Sequence, residues 1–215
     1  MKPDKLRRRQ VLALAAGAAV LTACGKRGPR TAALPGAASV LALGDSLTQG
    51  VGAVADQAWP SLLAEASGWQ VVNAGVSGDT SAQALARLPE LLAEHQPVLV
   101  IVSIGGNDFL RQHSTAATQD NIRRICELAR DSAAAVLLVA VPGFSLLAAS
   151  TRRLADHPLY AELADELRLP LYANGWSPVL SDPDLRADQV HANARGQQQF
   201  TDGLLGVLRR EGWLA

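Results

Sequence analysis

The chain has 215 residues, 20 of them Lys or Arg and 20 Asp or Glu, and 48% are apolar. That length supports one domain with a sizeable core. The lack of a basic excess argues against a nucleic-acid partner, which would need a positive face.

The first 23 residues read as a leader rather than as fold. Lys2, Lys5, Arg7, Arg8 and Arg9 make a cationic start, and Val11 to Leu21 is an unbroken run of apolar and small residues. The run is shorter than the roughly 20 residues that cross a bilayer as a helix, but it has the layout of an export signal. Leu21-Thr22-Ala23-Cys24 resembles the bacterial lipobox, which implies lipidation of Cys24. The arginine triplet is a weak hint of twin-arginine export, since basic residues occur in any signal. The leader carries five of the 20 basic residues and one of the 20 acidic ones, so the remainder holds 15 against 19, a net charge of −4. The expectation is an exported bacterial lipoprotein, held on a membrane by Cys24 and facing the periplasm or the cell exterior. Cys126 is then left without a disulfide partner, on an apolar-periodic segment that suits a small core residue.

Residues 24–38 read as a flexible Gly/Pro/Ala/Arg tether, and 39–215 as one domain of alternating strands and helices. Val40 to Leu43 is a short apolar run closed by Gly44, a buried strand. Helical spacing follows over Ala58 to Ser67, then a strand over Gln70 to Asn73. Ser81 to Glu94 is an amphipathic helix with Leu85, Leu88, Leu91 and Leu92 on one side. Val98 to Ile104 is the most strand-like segment. Gln119 to Ser132 reads as helix, Ala135 to Val141 as strand, and Thr151 to Leu167 as helix interrupted at Pro158. Leu169 to Ala173 is a fifth strand, and Asn193 caps a closing helix to Arg210. The alternation predicts a three-layer α/β/α sandwich on a five-stranded parallel sheet. The flavodoxin-like strand order is expected, with a site at the carboxyl ends of the strands.

Four loops at those carboxyl ends carry chemistry. Gly44-Asp45-Ser46-Leu47 leaves the first strand and exposes a serine hydroxyl on a turn. Its Gly-x-Ser-x-Thr pattern differs from the Gly-x-Ser-x-Gly elbow of the α/β-hydrolases. A serine in such a turn is by itself an ordinary cap, so a base is needed. Of His95, His113, His157 and His191, the first three sit in caps or polar stretches. His191 follows the fifth strand, with Asp188 three residues before it, a spacing that can return a carboxylate to imidazole Nδ1. Gly78, in the loop after the second strand, and Asn107, after the third, can donate N–H groups to an oxyanion. Ser77 and Ser145 are weaker nucleophile candidates. Asp45, Asp79 and Asp108 read as acids that bond loop backbone N–H groups.

Gly44-Asp45-Ser46-Leu47, Gly78, Gly105-Gly106-Asn107-Asp108 and Asp188-x-x-His191 resemble the four blocks of the SGNH (GDSL-type) hydrolases, in order, across Ser39 to Ala215. Ala58 to Leu63, Ser77 to Ser81 and Leu85 to Pro89 resemble the bacterial subgroup of thioesterase, arylesterase and lysophospholipase enzymes. The resemblance implies Ser46 as nucleophile and His191 as base oriented by Asp188. It also implies an oxyanion hole of Ser46 N–H, Gly78 N–H and the Asn107 amide, with no metal and no organic cofactor. The chain departs from the family pattern at Gln189 and Ala192, where Gly and Pro are usual, and over Pro142 to Ser150, which is expected to border the acyl pocket. The expected activity is hydrolysis of small-molecule or lipid esters by a monomer: aryl or short- to medium-chain esters, thioesters or lysophospholipids. Acetyl esters on cell-envelope carbohydrate, a metal-dependent phosphoesterase and a non-catalytic lipid-anchored module are the alternatives.

Overall fold

The computed structural model describes residues 33–143 and 154–215. Five strands alternate with helices: β1 Ser39–Gly44, β2 Gln70–Gly75, β3 Leu99–Ser103, β4 Ala135–Val139 and β5 Leu171–Tyr172. They form one parallel sheet in the order β2-β1-β3-β4-β5, the expected flavodoxin-like order. The central strands β1, β3 and β4 are nearly all buried, which explains why they read as continuous apolar runs rather than alternating ones.

The helices are α1 Ser46–Gln49, α2 Trp59–Ser67, α3 Ser81–His95, α4 Gly106–Leu110, α5 Thr115–Asp131, α6 Leu159–Leu167, α7 Trp176–Ser181 and α8 Ala194–Arg210. One layer contains α3, α5 and α6, and the other α2, α7 and α8. Thr80 opens α3 with a capping box: its hydroxyl oxygen accepts from Gln83 N–H, and Gln83 Oε1 accepts from Thr80 N–H at 3.0 Å. Asn193 caps α8 as expected, accepting from Gly196 N–H at 3.1 Å.

Several boundaries differ from the sequence reading, each for a local reason. β5 shrinks to two residues. Arg168 and Asn174 both take left-handed φ at its flanks, and Pro170 has no N–H, so pairing to β4 there runs through the Pro170 carbonyl. Helix α5 starts at Thr115, where Ser114 caps it. Helix α6 begins only after Pro158. Asp156 instead bridges antiparallel to Pro142, and His157 N–H donates to Val141 O at 3.0 Å. Helix α7 was not expected, because six residues are too few to show a period. It exists because Trp176 packs flat on Phe200 and its indole N–H donates to Ser103 Oγ at 3.1 Å.

The last residues of the expected tether are tied to the domain: Leu34 N–H donates to Trp213 O at 2.9 Å, and Ala38 is buried. The leader, Cys24, Ser145 and the segment 144–150 lie outside the described residues. Cys126 is buried in the core, and burial pushes its thiol up to about 12. Among the described residues no helix is long and apolar enough to cross a membrane.

Candidate active site

The ends of β1, β2 and β3 carry Ser46, Gly78 and Asn107, while Asp188 and His191 come not directly from β5 but from the loop between α7 and α8, since β5 ends at Tyr172. Asp45 caps α1, its Oδ1 accepting from Leu47 N–H at 3.0 Å, and this places Ser46 at the first helical position. Ser46 Oγ lies 3.0 Å from His191 Nε2. His191 Nδ1 lies 2.7 Å from Asp188 Oδ2, completing a Ser–His–Asp chain. The other carboxylate oxygen, Oδ1, accepts from the backbone N–H groups of Val190 at 2.8 Å and His191 at 2.9 Å. Burial raises the Asp188 pKa, but the His191 ring and those two N–H donors outweigh it, so the carboxyl sits below its ordinary value.

The loop carrying Asp188 and His191 is cross-braced by backbone bonds. Arg186 and Ala192 form an antiparallel bridge, and Ala187 N–H donates to His191 O at 2.9 Å. Asn193 N–H closes the base of the loop on Leu185 O at 2.9 Å.

The loop after β2 makes a β-turn over Val76–Asp79, closed by Asp79 N–H to Val76 O at 3.1 Å. Gly78 occupies its third position with φ +85°, which is glycine territory in a type II turn. Val76 N–H donates to Gly44 O at 3.1 Å, and Ser77 N–H to Gln49 Oε1 at 2.8 Å. Among the described residues Gly78 N–H has no acceptor, and neither has Ser46 N–H. Both backbone donors proposed from sequence are therefore available.

Asn107 lies in α4, whose start depends on Gly105 at φ +125°, where a side chain would press on the Tyr160 hydroxyl. Asn107 Nδ2 donates to Asp79 O at 3.0 Å and, in a longer bond, to Asp45 Oδ2 at 3.5 Å; serving an oxyanion would mean exchanging the longer bond.

The three acids have separate jobs. Asp45 acts on backbone N–H, as read from sequence, and so does Asp108, which accepts from Ser81 N–H at 2.8 Å and Ser81 Oγ at 2.6 Å. Asp79 differs. Its Oδ2 accepts from Arg87 Nε at 2.8 Å, and Arg87 Nη2 also donates to Gly44 O at 2.9 Å. Arg87 thus braces the serine loop against the Gly78 loop, a role not visible in a family block read only as pattern. His95 ends α3, His113 lies 3.9 Å from Asp108, and His157 stacks on Phe109 at 4.3 Å. Ser77 contacts Gln49 through its N–H, with no histidine bonded to its hydroxyl. Among the described residues no group of three or more His, Cys, Asp or Glu is arranged to hold a metal.

Burial pushes Asp45 up to about 7, against the bond from Leu47 N–H and the charge of His191. The folded state therefore holds this proton above the ordinary carboxylate value of 3.8, and the stability it confers falls as pH rises from there towards 7. Relative to Asp45→Asn, the wild type should lose thermal stability between pH 4.5 and 7 and then run parallel. Melting curves across that range check it, and a constant offset would contradict it.

A doubly wound parallel sheet with a Ser–His–Asp chain at its carboxyl edge defines the hydrolase class. The chain belongs to the GDSL-like Lipase/Acylhydrolase family, whose model matches residues 42–199. It is 39% identical over 178 residues to the "Thioesterase 1/protease 1/lysophospholipase L1" of Escherichia coli K12, covering 80% of this chain and 83% of that one. It is 31% identical over 178 residues to the arylesterase of Vibrio mimicus, covering 78% and 86%. Among solved structures, TesA matches with a TM-score of 0.69 at 30% identity, over 80% of this chain and 99% of that one.

Proposed function

We propose that the protein is a serine esterase working through an acyl-enzyme. The unbroken chain from Ser46 Oγ through His191 to Asp188, beside two unoccupied backbone donors, carries this reading. Ser46 Oγ attacks the ester carbonyl carbon while His191 Nε2 takes the hydroxyl proton. The carbonyl π pair moves onto oxygen, where Ser46 N–H, Gly78 N–H and the Asn107 amide receive it. Collapse expels the alcohol, protonated by His191, and leaves Ser46 acylated. Water, deprotonated by the same histidine, releases the acid and restores the serine.

The relatives' names extend the reading to aryl esters, thioesters and lysophospholipids as substrate classes. A p-nitrophenyl ester series of increasing chain length tests it. An initial burst of p-nitrophenol equal to the enzyme present is the expected sign of acyl-enzyme; no hydrolysis at any length would sink the proposal. Asn107→Ala should lower kcat by about 10²–10³-fold, the usual effect of losing one oxyanion donor. Turnover at the wild-type level would remove Asn107 from the hole.

We also propose that residues 1–23 are an export signal and that Cys24 is lipidated, on the strength of the cationic start, the apolar run and the Leu-Thr-Ala-Cys exit. Incorporation of an alkynyl fatty acid that disappears in Cys24→Ser is the expected result. One copy carries every residue of the proposed site, so a monomer suffices.

A further inference from the structure

The described chain enters the domain at the edge of the sheet opposite Ser46. Leu34 packs against the core, and its N–H donates at 2.9 Å to Trp213 O, just past the end of α8. Ala37 N–H donates at 3.2 Å to the carbonyl of Gly68, which caps the end of α2. Ser39 Oγ donates at 2.9 Å to the carbonyl of His95, the last residue of α3. Residues 34–39 are thus bonded to the carboxyl ends of three helices. In a parallel sheet with returning helices, helices end where strands begin. β1 then carries the chain to Gly44 at the other edge, and Ser46 lies just beyond it.

The distance along the chain from a lipid on Cys24 to that entry point is short. Cys24 lies ten residues before Leu34. Ten residues of any sequence span at most about 33–36 Å, and a flexible chain of that length averages about 16–19 Å end to end. With the entry edge turned to a bilayer, Leu34 is near the surface and no stretching is needed. With Ser46 turned to the bilayer, the same ten residues must run back past β1, about 17 Å over its six residues. They must also pass outside a helical layer about 10 Å thick. That path uses nearly the whole contour before the loops beyond β1 are counted, and drawing a chain taut costs conformational entropy.

We infer that the anchored protein holds Ser46 away from its own bilayer and takes its esters from the aqueous side. The substrate class is esters that arrive through water, as dispersed molecules or on soluble polymers, rather than acyl lipids packed in the membrane that holds the enzyme. This rests on the proposed acyl transfer at Ser46 and on the proposed lipidation of Cys24. A linker too short to let two sites engage together leaves an effective concentration near zero, however dense the second site is. Anchoring therefore keeps the enzyme at the surface while withholding the lipids of that surface from its serine.

The test uses the mature lipidated protein in vesicles, with two readouts. A fluorescent fluorophosphonate marks Ser46, and a maleimide dye marks Ala215→Cys, two residues past Trp213 at the entry edge; Cys126 is buried and should not compete. Energy transfer to an acceptor lipid should be stronger from position 215 than from Ser46. Equal or stronger transfer from Ser46 would overturn the inference. The second readout compares wild type with a variant carrying about 20 extra Gly/Ser residues between Gly28 and Pro29. Both should hydrolyse a soluble aryl butyrate at the same rate. The same aryl butyrate linked to a vesicle lipid headgroup should react about 10-fold faster with the lengthened variant. No gain from the insertion would also overturn the inference, because the reach of the chain would not be the limit. The underlying readings fail differently: no fatty acid on Cys24 removes the anchor, and soluble hydrolysis no greater than that of Ser46→Ala removes the reaction.

Discussion

Ser46→Ala should leave a folded protein whose turnover on activated esters is down by about 10⁶-fold, the scale at which a nucleophile and its base act as one unit. The methyl group cannot form the acyl-enzyme, and His191 loses its partner at 3.0 Å. What remains is whatever binding and oxyanion stabilisation give to direct attack by water. Folding should be unaffected, because among the described residues the Ser46 hydroxyl makes no other hydrogen bond, whereas its backbone carbonyl still accepts from Gly50 and Val51 N–H at 3.0 Å. Steady-state kinetics on p-nitrophenyl acetate, with active-site titration to exclude wild-type contamination, provide the measurement. A residual rate within tenfold of wild type would mean that another group attacks.

Asp188→Asn should cost about 10³–10⁴-fold in kcat through the wrong histidine tautomer. The geometry fixes the direction. Asp188 Oδ1 already accepts from Val190 and His191 N–H, so an asparagine would keep its oxygen there and present its NH2 to imidazole Nδ1. Nδ1 then becomes the acceptor, the proton moves to Nε2, and the lone pair facing Ser46 is gone. Asp188→Ala should be less damaging than this substitution, because water can reach a side chain that is 54% exposed and bond to Nδ1 in its place. Equal kcat for Asp188→Asn and wild type would show that the acid neither orients nor stabilises the imidazole.

The sequence made the main architecture legible because burial wrote it plainly. β1, β3 and β4 are central strands covered on both faces, so Val40 to Leu43, Leu99 to Ser103 and Ala135 to Val139 stand out as apolar runs. β2 was readable despite its half-exposed edge because polar residues and helices flank it. The two-residue β5 was overextended, since Pro170 and a left-handed Arg168 cap interrupt what looks like a longer apolar segment. Ser46 is legible because it sits directly after β1, where parallel sheets gather their polar groups, whereas Asp188 and His191 lie in the loop before α8, after α7 rather than directly after β5, and are legible from their own three-residue spacing. The structure brings them within hydrogen-bonding distance as the spacing anticipated.

The supporting shell was less legible. Arg87, Gln49 and Arg111 act across loops far apart in the chain, and each reaches a backbone carbonyl or N–H that carries no signature of its own. Nothing in a single sequence marks an exposed arginine as bonded to a turn 33 residues away. The role of Asp79 is hidden for the same reason. Short acids in turns usually bond nearby N–H groups, but this one faces a guanidinium eight residues on, from the next helix.

The most direct test of the account is covalent trapping. Intact protein treated with a fluorophosphonate should gain the mass of one phosphonyl group, and peptide mapping should place it on Ser46. Pre-treatment should abolish ester hydrolysis, and Ser46→Ala should take up no label. A single adduct on another serine, or full activity after complete labelling of Ser46, would contradict the assignment of the nucleophile on which the mechanism is built.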